Sequence, residues 1–307
     1  VDYSVRIASG TARELVLRNP VIAASGTFGY GTEEGHLFDV QRLGAIVCKG
    51  PPLKPRYGNP QPRIAETPSG MLNAIGLENI GVEALIAEKA PVWAAWDVPV
   101  IVNIAGESID EYARMAERLD GVPGISGIEV NISCPNVHAG GAEFGIHPDS
   151  AAAVTTAVRE ATGLPVIVKL TPNTSEIKAV AGAVESAGAD ALTLINTLKG
   201  MAIDIYARKP LLGNITGGLS GPAVKPVALY MVYEVSKIVK IPVIGCGGIC
   251  SGTDAMEFFM AGASAVQTGT AGFSKPTAPV SILEGIADFM KKKRIDRLSD
   301  VIGAARR

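Results

Sequence analysis

Val166-Ile167-Val168-Lys169 sets three β-branched residues in a row and closes them with a lysine. A run without polar alternation is what a strand needs when helices cover both faces of a parallel sheet. Seven further runs share the construction: Val21-Ile22-Ala23-Ala24, Ala45-Ile46-Val47-Cys48, Val100-Ile101-Val102, Gly127-Ile128-Glu129-Val130, Ala191-Leu192-Thr193-Leu194-Ile195, Val243-Ile244-Gly245 and Ala265-Val266-Gln267. Polar or glycine-rich residues follow each: Ser25-Gly26-Thr27, Lys49-Gly50, Asn103, Asn131, Asn196-Thr197, Cys246-Gly247-Gly248 and Thr268-Gly269-Thr270. Between the runs, apolar periodicity predicts helices over Ile109–Leu119, 150–160, 176–187 and 227–239. Alternating strands and helices give a parallel sheet, and eight of them close into an α/β (β/α)₈ TIM barrel whose chemistry sits at the C-terminal strand ends.

Tyr3-Ser4-Val5-Arg6-Ile7 and Glu14-Leu15-Val16-Leu17 alternate polar and apolar residues around Ser9-Gly10-Thr11. They predict an N-terminal β-hairpin that plugs the barrel floor. Three stretches are too long for plain crossovers: 51–81, 134–148 and 198–222. Loops of that length on a catalytic face are binding loops or lids, and 134–148 is expected to close over substrate. With 307 residues, a single domain spanning 1–307 is the economical division.

Composition narrows the class. The chain is 47% hydrophobic and 19% charged with 35 glycines, which describes an enzyme core rich in tight turns. A formal net charge of −2 gives no electrostatic case for nucleic acid. No apolar stretch approaches the ~20 residues of a membrane span, and residues 1–19 show no secretory pattern. The four cysteines, Cys48, Cys134, Cys246 and Cys250, form no C-x-x-C pair, which favours reduced thiols in a cytoplasmic protein. His36, His138 and His147 lack metal-ligand spacing, so no metal is expected.

The expected rim carries several kinds of chemistry. Gly247-Gly248 and Gly269-Thr270 follow strands seven and eight, where barrels commonly hold a phosphate on backbone N–H groups; turn-making alone is the plainer alternative. Lys49 and Lys169 end buried runs, and an ammonium there meets an anion, snorkels to water, or serves as a Schiff base. Asn73, Asn103, Asn131 and Asn196 would bring amides around one cavity. Since an amide both donates and accepts, such a set suits a cyclic imide or pyrimidine edge. Cys134, in Asn131-Ile132-Ser133-Cys134-Pro135-Asn136, stands at the entrance of a long loop over the ligand face, while Cys48, Cys246 and Cys250 read as structural.

Taken together, Ala24-Ser25-Gly26-Thr27, Lys49-Gly50, Asn73-Ala74-Ile75-Gly76-Leu77, Asn131-Ile132-Ser133-Cys134-Pro135-Asn136, Ile195-Asn196-Thr197 and Gly245-Cys246-Gly247-Gly248-Ile249 resemble the class 1 dihydroorotate dehydrogenases, FMN enzymes of pyrimidine biosynthesis. The resemblance runs over essentially the whole chain. His138-Ala139-Gly140-Gly141 and Leu198-Lys199-Gly200-Met201-Ala202-Ile203-Asp204 are similar to the class 1B catalytic subunit rather than the 1A homodimer. By this resemblance, FMN would contact Ser25, Gly26, Lys49, Gly50, Asn103, Asn131, Lys169, Ile195, Gly221, Gly247, Gly248, Gly269 and Thr270. Dihydroorotate would lie against Lys49, Asn73, Ala74, Ile75, Gly76, Leu77, Asn131, Asn196 and Thr197, with Cys134 as the catalytic base that yields orotate. The resemblance also implies a homodimer core that joins an iron-sulfur subunit carrying FAD and a 2Fe–2S cluster into a heterotetramer, with NAD⁺ as final acceptor. The alternatives are a 1A-type enzyme using fumarate, a dihydropyrimidine dehydrogenase-like reduction of uracil or thymine, a flavin-free Schiff-base lyase, and a non-catalytic flavin-binding subunit.

Overall fold

Every one of the eight apolar runs forms a strand in the computed structural model, which describes residues 1–8, 14–33, 37–133, 135–136 and 142–306. They are β1 (Val21–Ala23), β2 (Ala45–Cys48), β3 (Val100–Ile104), β4 (Gly127–Asn131), β5 (Val166–Leu170), β6 (Ala191–Leu194), β7 (Val243–Cys246) and β8 (Ala265–Thr268). Each pairs in parallel with its neighbours, and the ring closes in the order β5-β6-β7-β8-β1-β2-β3-β4. The β-branched residues that announced the strands are fully buried, as helices on the outside and layered side chains on the inside demand.

The crossover helices are α1 (Ile109–Leu119), α2 (Pro148–Ala161), α3 (Ile177–Ser186), α4 (Lys225–Val235) and α5 (Gly252–Ala261), with α6 (Ala278–Lys293) after β8. α1 starts at a side-chain cap: Ser108 Oγ accepts from the Glu111 N–H at 3.3 Å, and Glu111 Oε2 accepts from the N–H of Glu107, one residue before the cap, at 2.7 Å. α2 begins earlier than its periodicity predicts, because Pro148 suits a first turn whose N–H groups have no intrahelical partner. α4 stops short of residue 239, since the Ser236 hydroxyl turns to the Ala261 carbonyl at 2.9 Å and the chain leaves the helix there.

The expected hairpin is present as Val5–Ala8 paired antiparallel with Leu15–Leu17; its turn at Ser9-Gly10-Thr11 lies outside the described residues. Val5, Ile7, Leu15 and Leu17 are buried in one apolar cluster with Val21 and Ile22, at the N-terminal end of the strands. Two of the long insertions do something the sequence did not announce. Ile64–Thr67 and Gly70–Asn73, from the insertion after β2, join Gly217–Ser220 and Leu198–Gly200, from the insertion after β6, in a single four-stranded antiparallel sheet. β2 and β6 face each other across the ring, so the sheet ties opposite sides of the catalytic end together.

On the outer layer, α5 and α6 meet glycine against glycine. A Cβ on Gly252 would lie 2.5 Å from the Gly285 carbonyl carbon, 2.6 Å from its Cα and 2.8 Å from the Ile286 nitrogen. All three are backbone atoms and cannot step aside. Gly252→Ala is therefore expected to cost about 1–3 kcal/mol, seen as a lowered thermal midpoint with an unchanged circular dichroism spectrum; an unchanged midpoint would show that the helices can separate freely.

Candidate active site

Polar side chains on the barrel strands, or just past their ends, gather at the catalytic end of the barrel. Because alternate residues of a strand share a face, Glu129 and Asn131 both point inward from β4, one below the other. Glu129 is 0% exposed and fully partnered: Oε1 accepts from Asn103 Nδ2 at 2.8 Å, and Oε2 accepts from Gln267 Nε2 at 2.6 Å and from Thr193 Oγ1 at 3.1 Å. Lys169, 5% exposed, places its Nζ 3.7 Å from Glu129 Oε1 and donates to Gln267 Oε1 at 3.3 Å and to Ser25 Oγ at 3.5 Å. Burial alone would push the Lys169 pKa down, but the Glu129 carboxylate and, less strongly, the Cys246 sulfur raise it beyond the ordinary lysine value. The Glu129 carboxylate thus favours the ammonium form.

Two expectations change in detail. Asn103 and Lys169 do not follow their strands but lie within them, since β3 runs on to Ile104 and β5 to Leu170. Their side chains occupy the barrel interior beneath the mouth. Lys49, by contrast, is half-exposed just past β2, and among the described residues its ammonium has no ion pair. The two lysines thus differ: one is neutralised from below, and the other has no ion pair among the described residues.

The amides divide similarly. Asn131 Oδ1 accepts from the Ser133 N–H at 3.1 Å and from Asn196 Nδ2 at 3.0 Å, while Asn196 Nδ2 also donates to Ser133 Oγ at 3.0 Å. Asn196 Oδ1 accepts from the Thr197 N–H at 2.9 Å. Asn196 is consumed in holding Asn131, whose Nδ2 has no partner among the described residues. Asn73 donates to the Gly218 carbonyl at 3.4 Å, and its Oδ1 has no partner among the described residues. Gly218 brings this strand beside Thr197, since a Cβ there would lie 2.0 Å from Thr197 Oγ1. Ala74, Ile75, Gly76 and Leu77 follow Asn73 as a shaped turn: the Asn59 N–H donates to the Ile75 carbonyl at 2.9 Å, Asn59 Nδ2 to the Ala74 carbonyl at 3.2 Å, and Asn79 Nδ2 to the Leu77 carbonyl.

At the β7–β8 side, Gly221, Gly248 and Thr270 come together. Gly221 and Gly248 have φ of 96° and 72°, in the left-handed region. A Cβ on Gly248 would lie 2.7 Å from Lys225 Cβ and 2.9 Å from the Gly221 carbonyl oxygen, and one on Gly221 would lie 2.8 Å from the Gly70 Cα. Thr270 Oγ1 donates to Ser220 Oγ at 2.8 Å. Gly247, Gly269 and the buried Ile195 border this cradle, while Gly26 and Gly50 sit at the ends of β1 and β2. Gly50 abuts Asn103, whose Oδ1 would be 2.7 Å from a Cβ on it.

Cys134 lies outside the described residues, as do His36, His138 and Gly140-Gly141. The chain leading to Cys134 is well tethered, with Tyr112 Oη donating to the Asn131 carbonyl at 2.6 Å and the Gly145 N–H to the Ile132 carbonyl at 2.8 Å. Burial pushes the thiols of Cys48 and Cys246 upward, as suits structural residues, whereas Cys250 is exposed at the start of α5. Among the described residues no group of acidic, histidine or cysteine side chains could hold a metal ion, and no helix is long and apolar enough to cross a membrane. Glu129, Thr193 and Gln267 were not singled out from sequence. A carboxylate inside an apolar run, two residues before Asn131 and therefore on its face, was the available signal.

Residues 8–290 match the family model for dihydroorotate dehydrogenase. The chain is 58% identical over 303 residues to the dihydroorotate dehydrogenase B (NAD⁺) catalytic subunit of Pelobacter propionicus, covering 99% of this chain and 98% of that protein. It is 54% identical, with the same coverage, to the subunit of that name from Geotalea daltonii. In three dimensions it is similar to the crystal structure of DHODH from Eimeria tenella in complex with ferulenol, with a TM-score of 0.82 at 22% identity over 100% of this chain and 89% of that one.

Proposed function

This chain belongs to the dihydroorotate dehydrogenase family, of the class 1B type, and on that premise we propose that it oxidises (S)-dihydroorotate to orotate in the synthesis of pyrimidines. The observation that carries the reading is the contrast between its lysines: Lys169 neutralised from below, Lys49 at the rim without an ion pair among the described residues. An anionic pyrimidine needs a cation for its carboxylate and amide atoms for its ring. Lys49, Asn131 Nδ2 and Asn73 Oδ1 supply that combination, and Asn196, Thr197 and the turn from Ala74 to Leu77 shape the space around it.

The residues present fit FMN. Gly221, Gly248 and Thr270 form a cradle that a Cβ would fill, suited to phosphate on backbone N–H groups. Ser25, Gly26, Gly50, Asn131, Ile195, Gly247 and Gly269 lie at the remaining strand ends, with Asn103 inside β3 just below them. Bound there, FMN would supply the acceptor for a hydride from C6 of the substrate. Lys169 offers a fixed positive charge where negative charge develops on that acceptance. Cys134 takes the proton from C5, and Lys49 orients the carboxylate. The electrons would leave through a partner subunit, which the resemblance gives as an iron-sulfur protein carrying FAD and a 2Fe–2S cluster beside a homodimer core, and would reach NAD⁺; the relatives' names, a catalytic subunit and NAD⁺, support a partner subunit and that acceptor.

The test is anaerobic addition of dihydroorotate to the purified chain, following the flavin band near ~450 nm. Rapid bleaching is expected. A yellow protein that stays yellow would point instead to uracil chemistry or a non-catalytic role, and a colourless one that cannot be reconstituted with FMN would remove the flavin. Gly248→Ala is expected to weaken FMN retention roughly 10- to 100-fold, measured by ultrafiltration and absorbance. Unchanged retention would place the phosphate elsewhere.

A further inference from the structure

We propose that Glu129 is a positioning residue for Lys169: it fixes the ammonium under the mouth of the barrel and keeps it charged for the flavin. The inference rests on the flavin reading above. A carboxylate with no exposure is costly unless its oxygens are satisfied. Here Asn103, Thr193 and Gln267 donate to it from β3, β6 and β8, and Lys169 faces it from β5. Gln267 ties the pair together, giving its Nε2 to Glu129 at 2.6 Å and receiving Lys169 on its Oε1 at 3.3 Å. A fully connected network of this kind leaves each side chain one arrangement.

Glu129 cannot touch a ligand, because it is completely buried and lies below Asn131 on the same face of β4. Its influence must travel through Lys169. The groups near that ammonium are Glu129 on β4, the Cys246 thiol on β7, Gln267 on β8 and the Ser25 hydroxyl after β1; Cys48 on β2 feels the Glu129 charge as well. Glu129 is the one carboxylate among them. Burial pulls Lys169 toward its neutral form, and Glu129 is the chief force opposing this. Without the carboxylate, Lys169 should lose its proton at lower pH.

The experiment uses the FMN-loaded protein with Glu129→Gln, Glu129→Asp, Lys169→Met and the Gln/Met double variant. Measured against pH, the flavin midpoint potential of Glu129→Gln should show the Lys169 break at lower pH than in the parent, and above that break it should fall toward that of Lys169→Met. Glu129→Asp should restore part of the parent behaviour, and adding Lys169→Met to Glu129→Gln should change little further. A Glu129→Gln protein with lowered thermal stability but the parent's potential and pH profile would overturn the proposal. Should Glu129→Gln fail to fold, the double variant, which buries no unpaired charge, must recover folding; if it does not, the pair is not a unit. If no form takes up FMN, the flavin reading fails on its own. The lysine ammonium can then be titrated by NMR in the flavin-free protein, where an unaltered Lys169 titration in Glu129→Gln would overturn the positioning role separately.

Discussion

Replacing Cys134 with serine is expected to slow flavin reduction by dihydroorotate about 10²–10⁴-fold near neutral pH, the usual worth of a positioned base, while FMN stays bound. The side chain is carried one residue beyond a tethered stretch: Asn131 is held by Tyr112 and Asn196, Ile132 by Gly145, and Ser133 by Asn131 and Asn196. A thiol ionises near ~8.5 in the absence of perturbation and is a usable base close to neutrality, whereas an aliphatic hydroxyl there needs far stronger activation. The sign of the pH effect follows. The parent rate should rise with pH and level off above the thiol's pKa, and the serine variant should still be rising where the parent has levelled. Anaerobic stopped-flow across a pH series measures both curves, and a serine variant at full rate would remove Cys134 from the base role.

Lys49→Met is expected to lower kcat/KM for dihydroorotate by about 2–4 kcal/mol, roughly 30- to 1000-fold, because the substrate carboxylate would be desolvated without a cation. Lys49 has no ion pair among the described residues, so its removal leaves no protein carboxylate stranded, and thermal stability should hold. The same variant separates the two pyrimidine readings. A neutral ligand such as uracil has no carboxylate to lose, so its affinity should hardly respond. If the two ligands weaken equally, Lys49 does not read the carboxylate.

The barrel was legible because burial on both faces writes itself into a strand as an uninterrupted β-branched run, and all eight runs are strands. The sheet built from 64–73 and 198–220 was not legible, because its pairing joins segments far apart in sequence whose strands are short and rich in glycine. Ile64 alternates with little apolar support, and nothing in Gly217-Gly218-Leu219-Ser220 names its partner. In the site, rim residues could be read from their position after each run. Glu129, Thr193 and Gln267 escaped because they sit inside the runs, where a polar letter reads as an interruption rather than as one corner of a network. The depth of Asn103 and Lys169 depended on strand ends one or two residues beyond the apolar letters, and periodicity does not resolve that.

The shared sheet also sets a rule for anyone who would re-engineer this enzyme. Loops of a barrel are commonly treated as interchangeable parts, each replaceable on its own strand. Here Gly70 on one insertion leaves room only for the Ser220 carbonyl on the other, where a Cβ would come within 2.1 Å of that oxygen. Leu72 pairs with Leu219, and Asn73 with Gly218, along the same seam. Grafting either segment from a relative with a different counterpart breaks the seam and misplaces Asn73 with it. The two insertions form one unit of inheritance, and a chimera has to take both or neither.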